Sequence, residues 1–431
     1  MAEYYTIIGG KKLQGEIRLA GAKNVATKVI ISSLLADSKS VFENIPRIND
    51  VEITLEICHA LGAEYKWLDK NTLEIDPVPL KKHKVPLEYS GKNRVPILFF
   101  GPLLHKFNKA EVPVLGGCSI GARSVDFHVE AYKKLGAEIQ FEDNRYLIQT
   151  DGLKGTTIKL NYPSVGATEN IILGASLAHG TTVLKNAAIE PEIEDLALFL
   201  QSMGAVIYQD VGRVWIIEGV KKLRGAHFKI MDDRIEAASF ASLAVANDSD
   251  IFIRGANQRF LITFLNWIRK LGASFETYND GIKFMGGHKL KGVVLETDVH
   301  PGFMTDWQQP FSIALTQAEG VSIIHETVYE NRLGYVDALN KMGAKIYVFS
   351  ECLGNKSCRF VHRDFAHSAI IVGPTPLHGE KIEIPDLRAG FSYLIAALIA
   401  EGRSEIFGID KIERGYENLK ERLINLGADI K

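Results

Sequence analysis

The sequence contains few cysteines, almost no net charge and no long apolar segment. Its 431 residues include 4 cysteines, which are too few to hold a fold of this size together through disulfides. The formal net charge is −2, which does not favour a nucleic-acid-binding or membrane-surface protein. The longest apolar run, residues 95–104, contains two prolines and is far shorter than the roughly 20 residues that span a bilayer.

The beginning of the chain, residues 1–5, has neither the basic segment nor the apolar segment of a signal peptide. Apolar residues make up 46% of the chain and charged residues 24%, which is typical of a soluble globular protein. We therefore expect a cytoplasmic protein that has no membrane or nucleic-acid partner.

A Gly-Ala pair preceded by Leu or Met ends an apolar stretch six times in the chain. The six glycines are Gly62, Gly136, Gly204, Gly272, Gly343 and Gly427, at spacings of 74, 68, 68, 71 and 84 residues. A nearly constant period indicates that one supersecondary unit was copied and stacked. We therefore expect the functional residues at positions where the copies differ.

Each copy follows the same order of elements. A small-residue apolar stretch such as residues 171–178 predicts a buried helix, and a β-branched run such as residues 181–184 predicts a strand. An amphipathic helix such as residues 195–203 then ends at the Gly-Ala pair, whose glycine suits a left-handed C-cap. A further strand or hairpin follows, as in residues 214–217, so the unit is helix, strand, helix, strand, strand.

Six copies could form an open solenoid or two closed groups of three. We favour two closed groups, because the terminal copies are as apolar as the middle ones and a solenoid needs polar caps. The boundary is expected near residues 225–235, after three copies. A strand-like run at residues 15–19 could pair with the last copy.

Two segments stand out from the repeats. Lys23 and Asn24 open the first helix, where free backbone N–H groups and a lysine favour an anion, although a solvated helix start would look the same. Cys118 lies among three glycines in residues 116–123, which predicts a loop rather than a packed element. Cysteine is usually a buried apolar residue, but this setting favours a reactive thiol whose pKa Arg123 could lower.

Other polar segments have ordinary structural explanations. Asp306 precedes an apolar helix and, taken alone, is best explained as an N-cap. Residues 386–390 hold the same place in the last copy, and residues 413–416 would be caps or surface ion pairs.

Cys352 and Cys358, with His362 and His367 nearby, raise the possibility of a metal site. The gap between the two cysteines is wider than the usual zinc spacing, and all four residues lie in an apparent hairpin insertion in the longest copy. We therefore expect no metal.

Several of these segments together resemble one family. They are, in order, residues 21–24, 116–123, 125–128, 164–168, 305–306, 326–332, 386–388 and 414–417. The set closely resembles the enolpyruvyl transferase family, and within it the branch that acts on UDP-N-acetylglucosamine. The resemblance runs from about residue 7 to the end of the chain.

The resemblance implies an α/β (α+β) fold, a two-domain inside-out α/β barrel with six βαβαββ repeats, three in each domain. It implies a first domain over residues 22–230, which carries the Cys118 loop, and a second domain made of residues 1–21 and 231–431. It also implies a cleft that closes on substrate, with the Cys118 loop folding over it.

The implied reaction transfers the enolpyruvyl group of phosphoenolpyruvate to the 3′-hydroxyl of UDP-N-acetylglucosamine and releases phosphate. It is the first committed step of peptidoglycan synthesis, proceeds by addition and elimination, and uses no metal, organic cofactor or obligatory protein partner. By resemblance, Cys118 delivers a proton to the methylene carbon and Asp306 is the base near the 3′-hydroxyl. The epoxide antibiotic fosfomycin would then alkylate Cys118.

The resemblance also assigns the binding residues. Lys23, Arg123 and Arg414 match phosphoenolpyruvate-binding positions, where guanidinium groups suit carboxylate and phosphate oxygens. Arg94 and Arg388 match further cleft arginines. The nucleotide sugar would lie along Asn24, Arg123, Ser124, Val125, Asp126, Phe127, Ser164, Val165, Gly166 and Asp306, with Tyr329 near the sugar end.

The chain departs from the family pattern at a few positions. It has Ser124 and Met304 where many relatives carry proline, and Tyr162 where they carry a lysine that contacts the nucleotide. The segment from Cys352 to His367 replaces a shorter tract.

Three alternative functions fit the sequence less well. The transferase acting on shikimate 3-phosphate lacks the glycine-cysteine loop. An inactive nucleotide-binding repeat protein would have lost a catalytic position, and a nucleic-acid clamp would need a strongly basic inner face.

Overall fold

The computed structural model describes residues 4–116, 125–287, 289–356, 358–385 and 387–431. These residues form two compact units. The first unit contains residues 21–116 and 125–231, and the second contains residues 4–20 with the described residues from 232 to 431. In the described part of the chain, no helix is both long enough and apolar enough to span a membrane.

Two strands, β1 (Tyr4–Ile8) and β2 (Gln14–Arg18), precede the first unit. The first unit then contains α1 (Lys23–Ser32), β3 (Ser40–Glu43), α2 (Asn49–Leu61), β4 (Glu64–Trp67), β5 (Leu73–Asp76), α3 (Phe100–Phe107), β6 (Lys109–Pro113), α4 (Asp126–Lys134), β7 (Glu138–Glu142), β8 (Arg145–Gln149), β9 (Thr157–Lys159), α5 (Val165–Ala175), β10 (Thr181–Lys185), α6 (Pro191–Ser202), β11 (Val206–Asp210), β12 (Val214–Glu218) and β13 (His227–Lys229). Short 3-10 helices cover Ser33–Leu35, Leu87–Tyr89 and Val95–Phe99.

The remaining elements belong to the second unit. They are α7 (Arg234–Ala246), β14 (Asp250–Arg254), α8 (Gln258–Leu271), β15 (Ser274–Tyr278), β16 (Gly281–Met285), β17 (Val294–Glu296), α9 (Thr305–Thr316), β18 (Gly320–His325), α10 (Val336–Lys341), β19 (Lys345–Phe349), β20 (Ser368–Gly373), β21 (Lys381–Glu383), α11 (Leu387–Ile399), β22 (Arg403–Phe407), α12 (Asp410–Glu413), α13 (Leu419–Asn425) and β23 (Asp429–Ile430). The helices and strands predicted from residues 171–178, 181–184, 195–203 and 214–217 are confirmed by α5, β10, α6 and β12.

The described strands form six small sheets, one for each copy of the repeat. The orders in the first unit are β13-β3-β5-β4, β6-β8-β7 and β11-β12-β10-β9. The orders in the second unit are β15-β16-β14-β2, β17-β18-β20-β19 and β21-β22-β1-β23. Five of them combine a parallel pair with antiparallel neighbours, and in the three-stranded sheet a parallel bridge between Lys84 and Glu111 takes the place of the parallel strand.

The first two strands join different sheets. Strand β2 pairs in parallel with β14, with Ile17 beside Ile253, whereas β1 lies antiparallel to both β22 and β23. The prediction of a strand at residues 15–19 is therefore confirmed, but its predicted partner in the last copy is wrong, because β1 occupies that place. Each strand is five residues long and buries one residue, Ile7 in β1 and Ile17 in β2, so the sequence pattern alone does not distinguish their partners.

Each unit is built around buried helices. In the second unit α7, α9 and α11 contact one another, every residue of α7 is buried, and Asp306 is the one residue of α9 that is not. In the first unit α1, α3 and α5 pack together with the 3-10 turns beside them. Several buried hydroxyls bond within their own helices, as Ser242 does to the Ala238 carbonyl, which offsets the cost of burying them.

The six Gly-Ala pairs share one geometry. All six glycines have φ between 94° and 110°, the left-handed conformation predicted for them. The alanine N–H after each glycine donates to the carbonyl five residues earlier, as Ala63 does to Cys58 at 3.0 Å. The glycine N–H donates to the carbonyl three residues earlier, and together these bonds define a Schellman cap.

This geometry predicts how two glycine substitutions differ. A Cβ at Gly204 meets no atom within 4 Å, so Gly204→Ala should cost only the left-handed conformation, about 1 kcal/mol of the free energy of unfolding. A Cβ at Gly62 would lie 2.9 Å from the Pro79 carbonyl oxygen, so Gly62→Ala should cost more. Urea unfolding of both variants measures the difference, and an equal loss would contradict it.

Candidate active site

Many of the predicted site residues lie at the N-terminal ends of helices. Lys23, Asp126 and Val165 are the first residues of α1, α4 and α5. Asp306 and Arg388 are the second residues of α9 and α11. Free N–H groups and the helix dipole make such ends suitable for anions, which is the property that phosphate-bearing ligands require.

Lys23 is held by a buried carboxylate that the sequence analysis did not identify. Its Nζ lies 2.8 Å from Oδ2 of Asp50, the second residue of α2. The two side chains are 14% and 7% exposed, so little water competes for this ion pair. In the sequence, Asp50 looks like an acidic residue stabilising the start of a helix, and no local pattern links it to Lys23.

The N-terminal ends of α4 and α5 meet at His128. This buried ring accepts a hydrogen bond at Nδ1 from the Asn170 amide at 3.0 Å, and a Cβ on Gly166 would lie 3.6 Å from its Cε1. Burial, with the charge of Arg94 adding to it, lowers the pKa of His128 to about 3, so the ring is neutral at physiological pH. The structure therefore brings Arg94 near residues 126–128 and 164–166.

Ser164 caps α5. Its Oγ accepts a hydrogen bond from the Ala167 N–H at 3.4 Å, and its own N–H donates to the Tyr162 carbonyl at 2.7 Å. The cap leaves Val165 and Gly166 in the first turn, next to α4. Tyr162, one of the departures from the family pattern, thus lies directly before this turn.

Asp306 is paired with a buried arginine. The structure corrects the N-cap expectation, because Met304 is the N-cap of α9 and Asp306 lies within the first turn. An Nη atom of Arg332 contacts the Asp306 carboxylate. The Arg332 side chain is fully buried, and its Nε and other Nη have no hydrogen-bond partner among the described residues.

A second buried carboxylate joins the start of α9 to the loop after β18. Glu326 accepts hydrogen bonds from Thr305 Oγ1 at 2.9 Å, and from the backbone N–H groups of Val328 at 2.8 Å and Tyr329 at 3.0 Å. It therefore fixes the segment that carries Tyr329 relative to the turn that carries Asp306. Glu326 and Arg332 both lie in a segment that carries the family resemblance, but the sequence alone indicates no role for either.

For the remaining predicted site residues, the structure gives at most their burial and their position in an element. Asn24 and Arg414 are half-buried, and Arg414 is the C-cap of α12. Cys118, Arg123 and Ser124 lie outside the described residues, as do Asp386 and the side chain of Arg388. The first unit holds Lys23, Asn24, Arg94, Val125, Asp126, Phe127, Ser164, Val165 and Gly166, and the second holds Asp306, Tyr329, Arg388 and Arg414.

A cluster of acidic side chains lies deeper in the first unit. Glu169 of α5 is 2% exposed, and its Oε1 lies 3.8 Å from the Lys28 ammonium. Burial raises the pKa of Glu169 to about 7, against the charge of Lys28 and together with the repulsion of Glu192 and Glu190. Glu169 is thus half protonated near neutral pH.

Comparisons with known proteins agree on one family. The sequence model of the family described as EPSP synthase (3-phosphoshikimate 1-carboxyvinyltransferase) matches residues 7–423. A protein named UDP-N-acetylglucosamine 1-carboxyvinyltransferase from Protochlamydia amoebophila is 50% identical, over 98% of this chain and 93% of that protein. A protein of the same name from Chlamydia pneumoniae is 48% identical, over 98% of this chain and 94% of that protein.

Solved structures show a shared fold at low identity. The enolpyruvyl transferase NikO from Streptomyces tendae matches with a TM-score of 0.89 at 23% identity, over 100% of this chain and 99% of that one. An EPSP synthase from Acinetobacter baumannii matches with a TM-score of 0.75 at 18% identity, over 100% of both chains. The predicted mixed α/β, two-domain fold is therefore confirmed.

The buried Glu169 predicts a pH-dependent stability difference. Between pH 4.5 and about 7 the folded chain keeps a proton on Glu169 that the unfolded chain releases, so this residue's contribution to stability falls as the pH rises. The free energy of unfolding of Glu169→Gln, measured relative to that of the wild type, should therefore be higher at pH 8 than at pH 5. The difference between the two pH values should be up to about 3 kcal/mol. Melting temperatures at both pH values measure this.

The control for that experiment is Glu130→Gln, which changes an exposed glutamate on α4. It should shift the melting temperature equally at the two pH values. A Glu169→Gln variant that behaves like this control would contradict the prediction.

Proposed function

The chain belongs to the EPSP synthase family of enolpyruvyl transferases, and we propose that it transfers the enolpyruvyl group of phosphoenolpyruvate to the 3′-hydroxyl of UDP-N-acetylglucosamine, releasing phosphate. The observation that carries the choice of acceptor is 50% and 48% identity, over nearly the full chain, to proteins named for that acceptor. The reaction is the first committed step of peptidoglycan synthesis.

The arrangement of repeats supports a finer description of the fold. We infer that three βαβαββ repeats form each domain as an inside-out α/β barrel, with domains over residues 22–230 and over residues 1–21 plus 231–431. Each unit has three sheets, α7, α9 and α11 pack against one another in the second unit, and α3 packs on α5 in the first, which supports this description.

Phosphoenolpyruvate is a small anion, and the proposed site supplies cations and helix ends to hold it. Lys23, Arg123 and Arg414 are the proposed ligands, with Arg94 and Arg388 as further cations. Asp50 supports the role of Lys23, because an ion pair at 2.8 Å fixes the ammonium at the start of α1. An oriented ammonium loses less freedom when the substrate binds.

The nucleotide sugar is proposed to lie against the ends of α4 and α5. Its diphosphate would meet the free N–H groups of Val165 and Gly166, beside the neutral ring of His128. Asn24, Ser124, Val125, Asp126, Phe127 and Ser164 are the other proposed contacts, with Tyr329 near the sugar.

The proposed chemistry is an addition followed by an elimination. Cys118 protonates the methylene carbon of phosphoenolpyruvate while Asp306 accepts the proton of the 3′-hydroxyl, which then attacks the adjacent carbon. In the elimination the Cys118 thiolate takes a proton back from the new methyl group as the C–O bond to phosphate breaks. The enolpyruvyl double bond forms again, and the proton held by Asp306 passes to the departing phosphate. The contact with Arg332 and the bonds of Glu326 hold the turn that carries Asp306, which supports its role as the base.

A substrate test distinguishes the proposed acceptor from the one in the family description. Phosphate release should require phosphoenolpyruvate together with UDP-N-acetylglucosamine, and shikimate 3-phosphate should give none. A coupled phosphate assay with each acceptor measures this. Release with neither acceptor would overturn the proposed activity, and release only with shikimate 3-phosphate would reassign the acceptor.

The proposed roles of two residues are tested by substitution. Cys118→Ala and Asp306→Asn each remove a proton-transfer group, so each should lower kcat by about 100-fold or more while the circular dichroism spectrum is unchanged. Fosfomycin should add its mass to the wild type but not to Cys118→Ala.

A matched control for Asp306 is Asp280→Asn, an exposed carboxylate of the same unit that is also paired with an arginine. Its kcat should equal that of the wild type. Wild-type turnover in either Cys118→Ala or Asp306→Asn would remove that residue from the mechanism.

A further inference from the structure

Four potential metal ligands converge in the second unit, apart from the proposed active-site residues. His325 ends β18, Cys352 and Cys358 lie in the segment between β19 and β20, and His367 directly precedes β20. One ligand atom from each of the four lies within 4.8 Å of the others. We propose that these side chains bind one Zn²⁺ ion in a tetrahedral Cys₂His₂ site.

The distances suit zinc. Zn–S bonds of about 2.3 Å and Zn–N bonds of about 2.0–2.1 Å place neighbouring ligand atoms of a tetrahedron roughly 3.3–3.8 Å apart. Cys352 Sγ lies 3.3 Å from His367 Nε2, at the near end of that range. Zinc also favours mixed thiolate and imidazole ligands in this geometry.

In both imidazole rings Nδ1 faces a hydrogen-bond acceptor, which leaves Nε2 available to bind a metal. His367 Nδ1 lies 2.7 Å from the Phe365 carbonyl oxygen, which can only accept, so the proton is on Nδ1 and the Nε2 lone pair is free for a metal. His325 Nδ1 lies 3.0 Å from Glu296 Oε2 in the same way. His325 Nε2 is buried and has no hydrogen-bond partner among the described residues. A carboxylate behind a ligating histidine is the usual support of a zinc site.

Glu296 also organises the segment that carries the cysteines. It ends β17 directly beside His325, and its carboxylate accepts the backbone N–H groups of Asn355 at 3.0 Å and Lys356 at 2.8 Å. A Cβ on Gly354 would lie 2.2 Å from Glu296 Oε2 and 2.3 Å from His325 Nδ1, so only glycine lets the segment approach this closely. The chain is therefore folded tightly over the Glu296–His325 pair.

One of the cysteine sulfurs accepts a backbone hydrogen bond, as a thiolate ligand does. Cys358 Sγ accepts a hydrogen bond from the Phe360 N–H at 3.3 Å. Two close thiols could instead form a disulfide, but a disulfide would leave the two buried imidazole nitrogens without a function. Four protein ligands leave no open coordination position, so the ion would be structural and would hold the segment from Cys352 to His367 against β18 and β20.

This proposal revises the expectation that the chain holds no metal. His362 is close to Cys352, Cys358 and His367 in sequence, but it is exposed and does not belong to the cluster. The fourth ligand is His325, which a different strand contributes. The proposal does not depend on the proposed enzymatic activity.

Metal content of the purified full-length protein tests the proposal. After incubation with Zn²⁺ in reducing buffer and removal of free metal, elemental analysis should find about one zinc per chain. The Cys352→Ser/Cys358→Ser double variant should lose at least nine-tenths of it. Cys58→Ala, which removes a buried thiol of the first unit, should keep it.

A histidine pair provides the matched comparison within one segment. His367→Gln should lower the zinc content several-fold, whereas His362→Gln should leave it unchanged. Equal zinc content in these two variants would overturn the ligand assignment. This comparison also decides the question if the double cysteine variant does not fold.

Cobalt provides a spectroscopic readout on the wild type itself. Co²⁺ added to the metal-free protein should give a thiolate-to-metal charge-transfer band, and His362→Gln should keep that band. Wild type that takes up neither Zn²⁺ nor Co²⁺ would overturn the proposal, as would peptide mapping that finds a Cys352–Cys358 disulfide in metal-free protein under all conditions.

Discussion

The hydrogen bond from an alanine N–H to the carbonyl five residues earlier sets the geometry of this molecule. It occurs after each of six glycines with left-handed backbone, and it ends a helix at the same place in every copy. The carbonyl just before each of these glycines also accepts an N–H from a later or distant segment, as the Leu135 carbonyl does from Lys154. Because the helix end and the next segment are fixed together, each copy directs its strands onto a sheet and leaves the helix starts available for function.

The two units hold their proposed functional groups by opposite means. In the first unit a buried carboxylate, Asp50, fixes the cation Lys23, whereas in the second a buried cation, Arg332, fixes the carboxylate Asp306. In both cases the functional group lies in the first turn of a buried helix, and its partner comes from another element. Removing either partner would leave a charge with little water around it, which is costlier than losing a surface ion pair.

The sequence predicted the parts of the fold that depend on local pattern. The glycine caps, the buried small-residue helices and the strands after them follow from periodicity and backbone preference, and the structure confirms them. The partner of β2, the pairing of Asp50 with Lys23 and the contribution of His325 to the histidine–cysteine cluster depend on which distant segments meet. Residue spacing does not predict which distant segments come into contact. The sequence therefore suggested His362, which is close to the cysteines along the chain, and not His325. The roles assigned to the site residues come from the family resemblance and stay predictions.

The pairing of β1 and β2 has a consequence for synthesis on the ribosome. Every strand partner within the first unit is translated by residue 229, so that unit can fold while the chain is still emerging. Strand β2 must wait for β14 and β1 must wait for β22, and both of these partners follow the first unit in the chain. Until those partners are synthesised, the nascent chain carries two unpaired strands that are open to wrong partners and to chaperones.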